Sequence, residues 1–314
     1  MFRPEIKVFD CTIRDGGLVN NHRFSHDLVK KVWKALTKAG VDYMEIGYRG
    51  SKSYFNEANF GPWKFCEEKD LEQVVEPNGK MKIAAMIDVG RVDLDSIPDA
   101  KNSLINVYRV ATYVKDIDAA IMMANHCHDK GYETTINVMA ISVALFPELT
   151  EALHQISEET HVMATYIVDS YGALFSEEIH YLVQKYKECL NGKCEIGIHA
   201  HNNQQLGYAN TIEAIRKGAN FLDATIYGMG RGAGNCPMEC LLGFLKNPKF
   251  NLEPIFEVIE MNFEKLYNEL GWGYRLPYLV SGQLNRHPEA AISWLKSDMK
   301  TNHAEFLRKM LSDD

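Results

Sequence analysis

The sequence predicts a (β/α)8 TIM barrel of α/β class with a C-terminal helical extension. Three observations point there. Eight short β-rich runs alternate with amphipathic helical stretches from residue 5 to about 247. About 240 residues is the span such a barrel occupies. Past residue 247 the β/α rhythm gives way to helical pattern alone.

The strand runs are 6–12, 43–48, 82–88, 105–110, 134–141, 164–169, 195–201 and 221–227. Helical stretches between them include 27–39, 116–130, 147–159, 177–190 and 206–217. Ser25 and Ser176 stand where N-caps belong, and Gly40, Gly131 and Gly218 where helices stop. An open doubly wound sheet is the alternative. It requires a glycine-rich turn leading directly into a helix, whereas Asp15-Gly16-Gly17 is followed by the polar run Asn20-Asn21-His22-Arg23. No Gly-x-Gly-x-x-Gly or Walker phosphate loop follows the first strand. The connection from Arg49 to about Cys66 is long enough to be a candidate lid. Residues 253–270 and 287–311 read as helices flanking an irregular segment, 271–278. The expected organisation is a catalytic barrel domain, 1–247, with an extension, 248–314, packed on it.

Composition narrows the partners. The 314 residues carry 34 basic and 42 acidic side chains, net −8, without a long basic cluster, which argues against nucleic acid and anionic membranes as partners. No run of about 18 apolar residues exists, and the N-terminus lacks the apolar core of a signal peptide. Seven cysteines without a Cys-x-x-Cys pair fit reduced thiols in a cytoplasm better than a disulfide framework or zinc ribbon.

The chemistry concentrates in Gly197-Ile198-His199-Ala200-His201-Asn202-Asn203. Two histidines at i and i+2 on a strand share a face, so both imidazoles can reach one divalent cation. Such a pair needs a further oxygen ligand. The first strand, read as ending in Arg14-Asp15, offers one. Strands seven, eight and one become neighbours when a barrel closes, which brings Asp15 towards His199 and His201.

The combination of Asp10-x-Thr12-x-Arg14-Asp15-Gly16, His199-Ala200-His201-Asn202 and Gly230-x-Gly232-Ala233-Gly234-Asn235 resembles the DRE-TIM metallolyase superfamily, also called HMGL-like. That group includes hydroxymethylglutaryl-CoA lyase, isopropylmalate and homocitrate synthases, and 4-hydroxy-2-oxovalerate aldolase. The phrase Val168-Asp169-Ser170-Tyr171-Gly172-Ala173-Leu174 looks most like the aldolase branch. The resemblance implies a divalent cation, Mn²⁺ or Mg²⁺, held by Asp15, His199 and His201, with Asn235 at the position of a further ligand. It implies a 2-oxo acid substrate, with Ser170 and Tyr171 as substrate contacts and Arg14 stabilising an enolate oxygen as a C–C bond breaks. A plain ion pair with Asp15 is the other reading of Arg14. Glu45 and Asp88, on strands two and three, are candidates for substrate binding or for salt bridges inside the barrel.

Departures from the family pattern stand at the proton carriers. Leu18 occupies the position of the aldolases' basic histidine, and Ser281 that of a C-terminal tyrosine. His22 is the nearest replacement base, with Tyr48, Tyr171, Tyr227 and metal-bound water as further candidates. Cys236 follows Asn235 rather than preceding it, so a packing role fits it better than the lyases' catalytic cysteine. The rival readings are a Claisen-type acyl-CoA synthase or lyase of the same superfamily, a non-haem iron oxygenase, and a non-catalytic binding subunit. The resemblance also implies a homo-oligomer and an aldehyde dehydrogenase partner.

Overall fold

The computed structural model describes residues 3–76 and 80–312. In chain order the elements are β1 (Lys7–Asp10), α1 (Thr12–Asn20), α2 (His26–Ala39), β2 (Tyr43–Tyr48), α3 (Glu68–Val74), β3 (Lys82–Asp88), β4 (Val107–Thr112), α4 (Ile117–Asp129), β5 (Glu133–Val138), α5 (Phe146–Glu159) and β6 (Ala164–Asp169). Then come α6 (Ser176–Leu190), β7 (Glu195–Ala200), α7 (Gly207–Lys217), β8 (Phe221–Ala224), α8 (Met238–Leu245), α9 (Glu253–Val258), α10 (Glu264–Leu270), α11 (Leu276–Gln283), α12 (Glu289–Leu295) and α13 (His303–Ser312). The eight strands pair in parallel in chain order, and β8 closes on β1 with Phe9 opposite Asp223. The predicted (β/α)8 barrel is therefore the fold.

Alternate strand residues turn to opposite faces. One set builds the main core between sheet and helices, with Val8, Met44, Ile46, Ile83, Tyr108 and Ile198 fully or almost fully buried. The other set forms a separate cluster that includes Phe9, Tyr43, Tyr166 and Phe221. Phe9 stacks on Tyr43 with ring centroids 4.0 Å apart, and the Arg109 guanidinium lies over the rings of Phe9 and Tyr166 at 4.7 and 4.4 Å.

The largest departure from the sequence reading lies at the first strand. It ends at Asp10, and residues 12–20 form a helix, so Arg14 and Asp15 stand on α1 rather than on a strand end. Asp10 causes the break. Its carboxylate accepts the Thr12 backbone N–H at 3.2 Å and the Thr12 hydroxyl, an Asx turn that competes with continued pairing. Two glycines in nine residues conceal the helix, because glycine disfavours helix by up to about 1 kcal/mol. Gly17 is needed there for space, since a Cβ would fall 2.1 Å from Nδ1 of His22.

Smaller corrections follow local hydrogen bonding. Ser25 caps α2 as expected, accepting the Leu28 N–H at 3.2 Å. Ser176 is instead the first residue of α6; Phe175 holds the cap position, and its N–H is taken by Glu178 at 2.8 Å. The segment 271–278 is irregular only as far as Arg275, the residue before α11 begins.

The connection after β2 is pinned against the barrel. The Trp63 indole donates to the Phe24 carbonyl at 2.8 Å, and the Lys64 ammonium lies 4.2 Å from the Tyr48 ring and 3.9 Å from that of Phe55. At the C-terminal end, Ile255, Val258, Phe263 and Trp272 join the main core. Tyr278, Ala291, Phe306 and Met310 pack with Ala233 in a cluster of their own. Among the described residues no helix is long and apolar enough to cross a membrane.

The α2 cap gives a direct check. Ser25→Ala should lower stability by about 1 kcal/mol, read as a reduced urea midpoint at unchanged slope. An unaltered midpoint would mean that the hydroxyl contributes nothing to the helix start.

Candidate metal centre

Three elements converge on one point. His199 is on β7, and His201 stands one residue past its end, in an isolated bridge with Asn235. Asp15 comes from the middle of α1. The candidate ligand atoms of Asp15, His199 and His201 all lie within 4.8 Å of one another, and all three residues are buried. The carboxylate that barrel closure was expected to supply is present, delivered by a helix.

Asp15 is held by both oxygens. Oδ1 accepts from Arg14 Nη1 at 2.7 Å; Oδ2 accepts from Asn235 Nδ2 at 2.6 Å and from the Arg231 backbone N–H at 3.2 Å. A carboxylate has about four acceptor positions, so three are filled and one remains. Burial would push this carboxyl upward. The charges of Arg14 and Arg231 outweigh it and hold Asp15 below the usual carboxylate range, hence ionised. Burial also drives His201 well below the ordinary histidine value, so its imidazole is neutral and its nitrogen lone pair free.

His199 is oriented from behind. Its Nδ1 donates to Asp223 Oδ2 at 2.9 Å, which fixes the tautomer and leaves Nε2 as an acceptor. That Nε2 is buried and has no partner among the described residues, and the same is true of Asn235 Oδ1. A buried acceptor left unsatisfied costs about 1–3 kcal/mol, so two beside an ionised carboxylate fit a cation that would satisfy them. The donor set of nitrogens and oxygens without thiolate suits Mn²⁺, Mg²⁺, Fe²⁺ or Zn²⁺. Cys11 also lies near His199 and Asp223. Burial holds it as a thiol, and it accepts from Arg109 Nη1 at 3.3 Å.

The supporting charges run deeper into the barrel. Arg14 Nε donates to Glu45 Oε2 at 2.7 Å, and the same oxygen lies 3.1 Å from Arg109 Nη1. Arg109 Nη2 donates to both oxygens of Asp223, at 3.0 and 2.8 Å. One chain of ion pairs and hydrogen bonds therefore joins Asp15 to His199 through Arg14, Glu45, Arg109 and Asp223.

A cavity of about 80 Å³ opens on this cluster, lined by Arg14, Asp15, Tyr48, Ser170, Tyr171 and both histidines, among others. Ser170 and Tyr171 thus stand where substrate contacts were expected, although the Ser170 hydroxyl already accepts the Ala140 N–H at 2.8 Å. Glu45 does not line the cavity; it is fully buried beneath Arg14, and the expectation of substrate contact gives way to the salt-bridge reading. His22 is likewise absent from the walls. It is buried behind Gly17 with its ring against Tyr48, and burial followed by the Lys64 and Arg14 charges lowers it to about 3. Ser281 is buried too, bonded to the Pro277 carbonyl at 3.1 Å. No residue from 49 to 66 reaches the cavity, so the expected lid lies beside the site rather than over it.

Four residues of the site escaped the sequence reading. Asp223 and Arg109 are single charges inside apolar strand runs, and opposite charges at inward positions were a usable signal. Arg231 lies within the glycine motif and donates through Nη2 to the Ser170 carbonyl at 2.9 Å. His287, from the connection between α11 and α12, reaches the cavity beside Tyr171 and Arg231. No spacing signal marks it.

A family model described as HMGL-like matches residues 5–262. The chain belongs to the HMGL-like family. A 4-hydroxy-2-oxovalerate aldolase of Rhodococcus opacus is 30% identical over 239 residues, covering 76% of this chain and 70% of the relative. The Bacillus cereus 4-hydroxy-2-oxovalerate aldolase is 30% identical over 251 residues, covering 80% and 72%. Among solved structures, the N-terminal domain of a candidate aldolase from Bacteroides vulgatus superposes with a TM-score of 0.79 at 29% identity, covering 95% of this chain and all of that one. The HMG-CoA lyase of Brucella melitensis shares the fold, with a TM-score of 0.68 at 12% identity and coverage of 84% and 99%. In this HMGL-like chain the glycine motif has a steric reason: a Cβ at Gly230 would fall 2.1 Å from Asn235 Nδ2 and 2.3 Å from Asp15 Oδ2.

Asp223→Asn should weaken Mn²⁺ binding about 10- to 100-fold, measured by calorimetry on protein whose far-ultraviolet dichroism is unchanged. Undiminished affinity would show that the orientation of His199 does not depend on this carboxylate.

Proposed function

We propose that the chain is a divalent-metal-dependent aldolase that cleaves a 4-hydroxy-2-oxo acid to pyruvate, or a related enolate product, and an aldehyde. The observation carrying this reading is the buried Asp15–His199–His201 cluster with Arg14 fixed beside it and facing the cavity. The aldolase relatives at 30% identity support it.

Asp15, His199 and His201 would hold the metal, with Asn235 Oδ1 as a further donor. When bound, the cation supplies Lewis-acid polarisation of the substrate's 2-oxo group. Cleavage between C3 and C4 removes the proton of the 4-hydroxyl and moves the bonding pair towards the C2 oxygen. Arg14 serves that charge. Its Nη1 is held by Asp15 and its Nε by Glu45, so the guanidinium plane is set before substrate arrives. Both readings of Arg14 therefore apply at once, because the ion pair is what orients the donor.

Proton transfer falls to groups that face the cavity. His22 does not, and the role proposed for it passes to the hydroxyls of Tyr48 and Tyr171 and to His287. Burial, then the Arg231 charge, keeps His287 below its ordinary value and neutral at pH 7. The resident metal is Mn²⁺ or Mg²⁺ in this reading, and the enzyme is cytoplasmic, its seven cysteines all free thiols. A homo-oligomer working with an aldehyde dehydrogenase belongs to the same proposal.

The test is a screen of Mn²⁺-loaded protein against 4-hydroxy-2-oxo acids of varied chain length, following pyruvate release. Turnover is expected, and Arg14→Ala, assayed at saturating Mn²⁺ so that any weakening of the metal site through Asp15 is made good, should still cut it by about two to three orders of magnitude. Condensation of acetyl-CoA with a 2-oxo acid, without pyruvate release from any substrate, would replace the aldolase by a Claisen-type synthase.

A further inference from the structure

A second cavity stands against the first. It measures about 700 Å³ and lies between the mouth of the barrel and the C-terminal helices. Leu18 and Arg231 belong to the walls of both cavities. The catalytic cavity, at about 80 Å³, is far below the size of pockets that enclose whole ligands of moderate size, roughly 300–1,000 Å³, whereas its neighbour falls inside that range. A substrate longer than its reacting carbons therefore has an adjoining place to put the remainder.

The charges in that space are predominantly positive. Arg231, Arg275, Lys296 and Lys300 line it, against a single carboxylate, Glu269. Glu269 already faces Lys265 at 3.8 Å. None of the four cations has a carboxylate partner among the described residues, although the protein as a whole is acidic at −8. Unpaired cations collected in one concavity of an acidic protein raise the local concentration of anions.

We infer that the aldehyde half of the substrate carries an anionic group, a phosphate or a carboxylate, which the second cavity holds between Arg275, Lys296 and Lys300 while the 2-oxo acid end occupies the metal cavity. The inference rests on the aldolase reading for the reaction, but binding of the anionic group is separable from turnover. Both ends of such a substrate are negative, which suits cations at the far end and a metal and Arg14 at the near end. The uncharged acetaldehyde half of 4-hydroxy-2-oxovalerate would leave the second cavity unused.

The experiment runs the reaction in the condensation direction with Mn²⁺-loaded protein and pyruvate. Glyceraldehyde 3-phosphate, succinic semialdehyde and uncharged glyceraldehyde serve as acceptors, and binding of each is measured separately by calorimetry without pyruvate. A charged acceptor should show kcat/KM about tenfold above glyceraldehyde, the equivalent of two exposed charge contacts. The phosphate and carboxylate arms decide which anion is preferred. The double substitution Lys296→Ala with Lys300→Ala, at exposed positions, should remove that preference and leave glyceraldehyde unchanged. Raising salt from 50 to about 300 mM should reduce it in the wild type. Equal use of charged and uncharged acceptors, unaffected by the substitutions, would overturn the inference and leave the aldolase intact. Charged acceptors that bind and lose binding in the double variant, with no condensation at all, would overturn the aldolase and leave the anion site standing. Absence of both binding and preference overturns the anion site.

Discussion

The metal cluster depends on Arg109. This guanidinium is wholly buried in the barrel interior, between the carboxylates of Glu45 and Asp223. Glu45 in turn fixes Arg14, which holds Asp15; Asp223 fixes His199. Two ligands delivered by elements about 185 positions apart are thus the two ends of one buried ionic chain. Burial raises the cost of each charge, and each is offset only because its partner is present. Removing one member strands its neighbours, so the site is cooperative in a way its separate residues do not reveal.

The charge count along this chain bears on function. Three carboxylates stand against two guanidiniums, with His199 carrying its proton on the nitrogen that faces Asp223. At the Asp15 end Arg231 adds a third positive charge, and there His201 and the unpartnered acceptors His199 Nε2 and Asn235 Oδ1 gather. What the side chains leave open there is acceptors without a donor, which a divalent cation would satisfy. Arg14 belongs to both parts of the molecule, as a structural link and as the donor that faces the substrate.

Much of this was legible in the sequence because it rests on periodicity. Eight alternations and the i, i+2 histidines follow from strand and helix geometry, and closure of β8 on β1 then follows from the count. Asp15 was correctly grouped with the histidines although its element was misread: the Asp10 turn ends the strand early, and two glycines mask a helix that tertiary space requires. His22 and Glu45 failed as cavity residues for a different reason. A position in sequence does not say which side of a neighbour's ring or guanidinium a side chain will occupy. His287 was out of reach, since the docking of the C-terminal helices depends on packing around Ala233, Tyr278 and Phe306 rather than on any motif.

The central claim is that the buried ionic chain presents Asp15, His199 and His201 as one site for one divalent ion. Anomalous diffraction from crystals grown with Mn²⁺ tests it most directly. The expected result is a single strong peak about 2.0–2.2 Å from an Asp15 carboxylate oxygen, from Nε2 of His199 and from a ring nitrogen of His201. A peak held by other residues, or a cluster that stays free of manganese at saturating concentration, would contradict it.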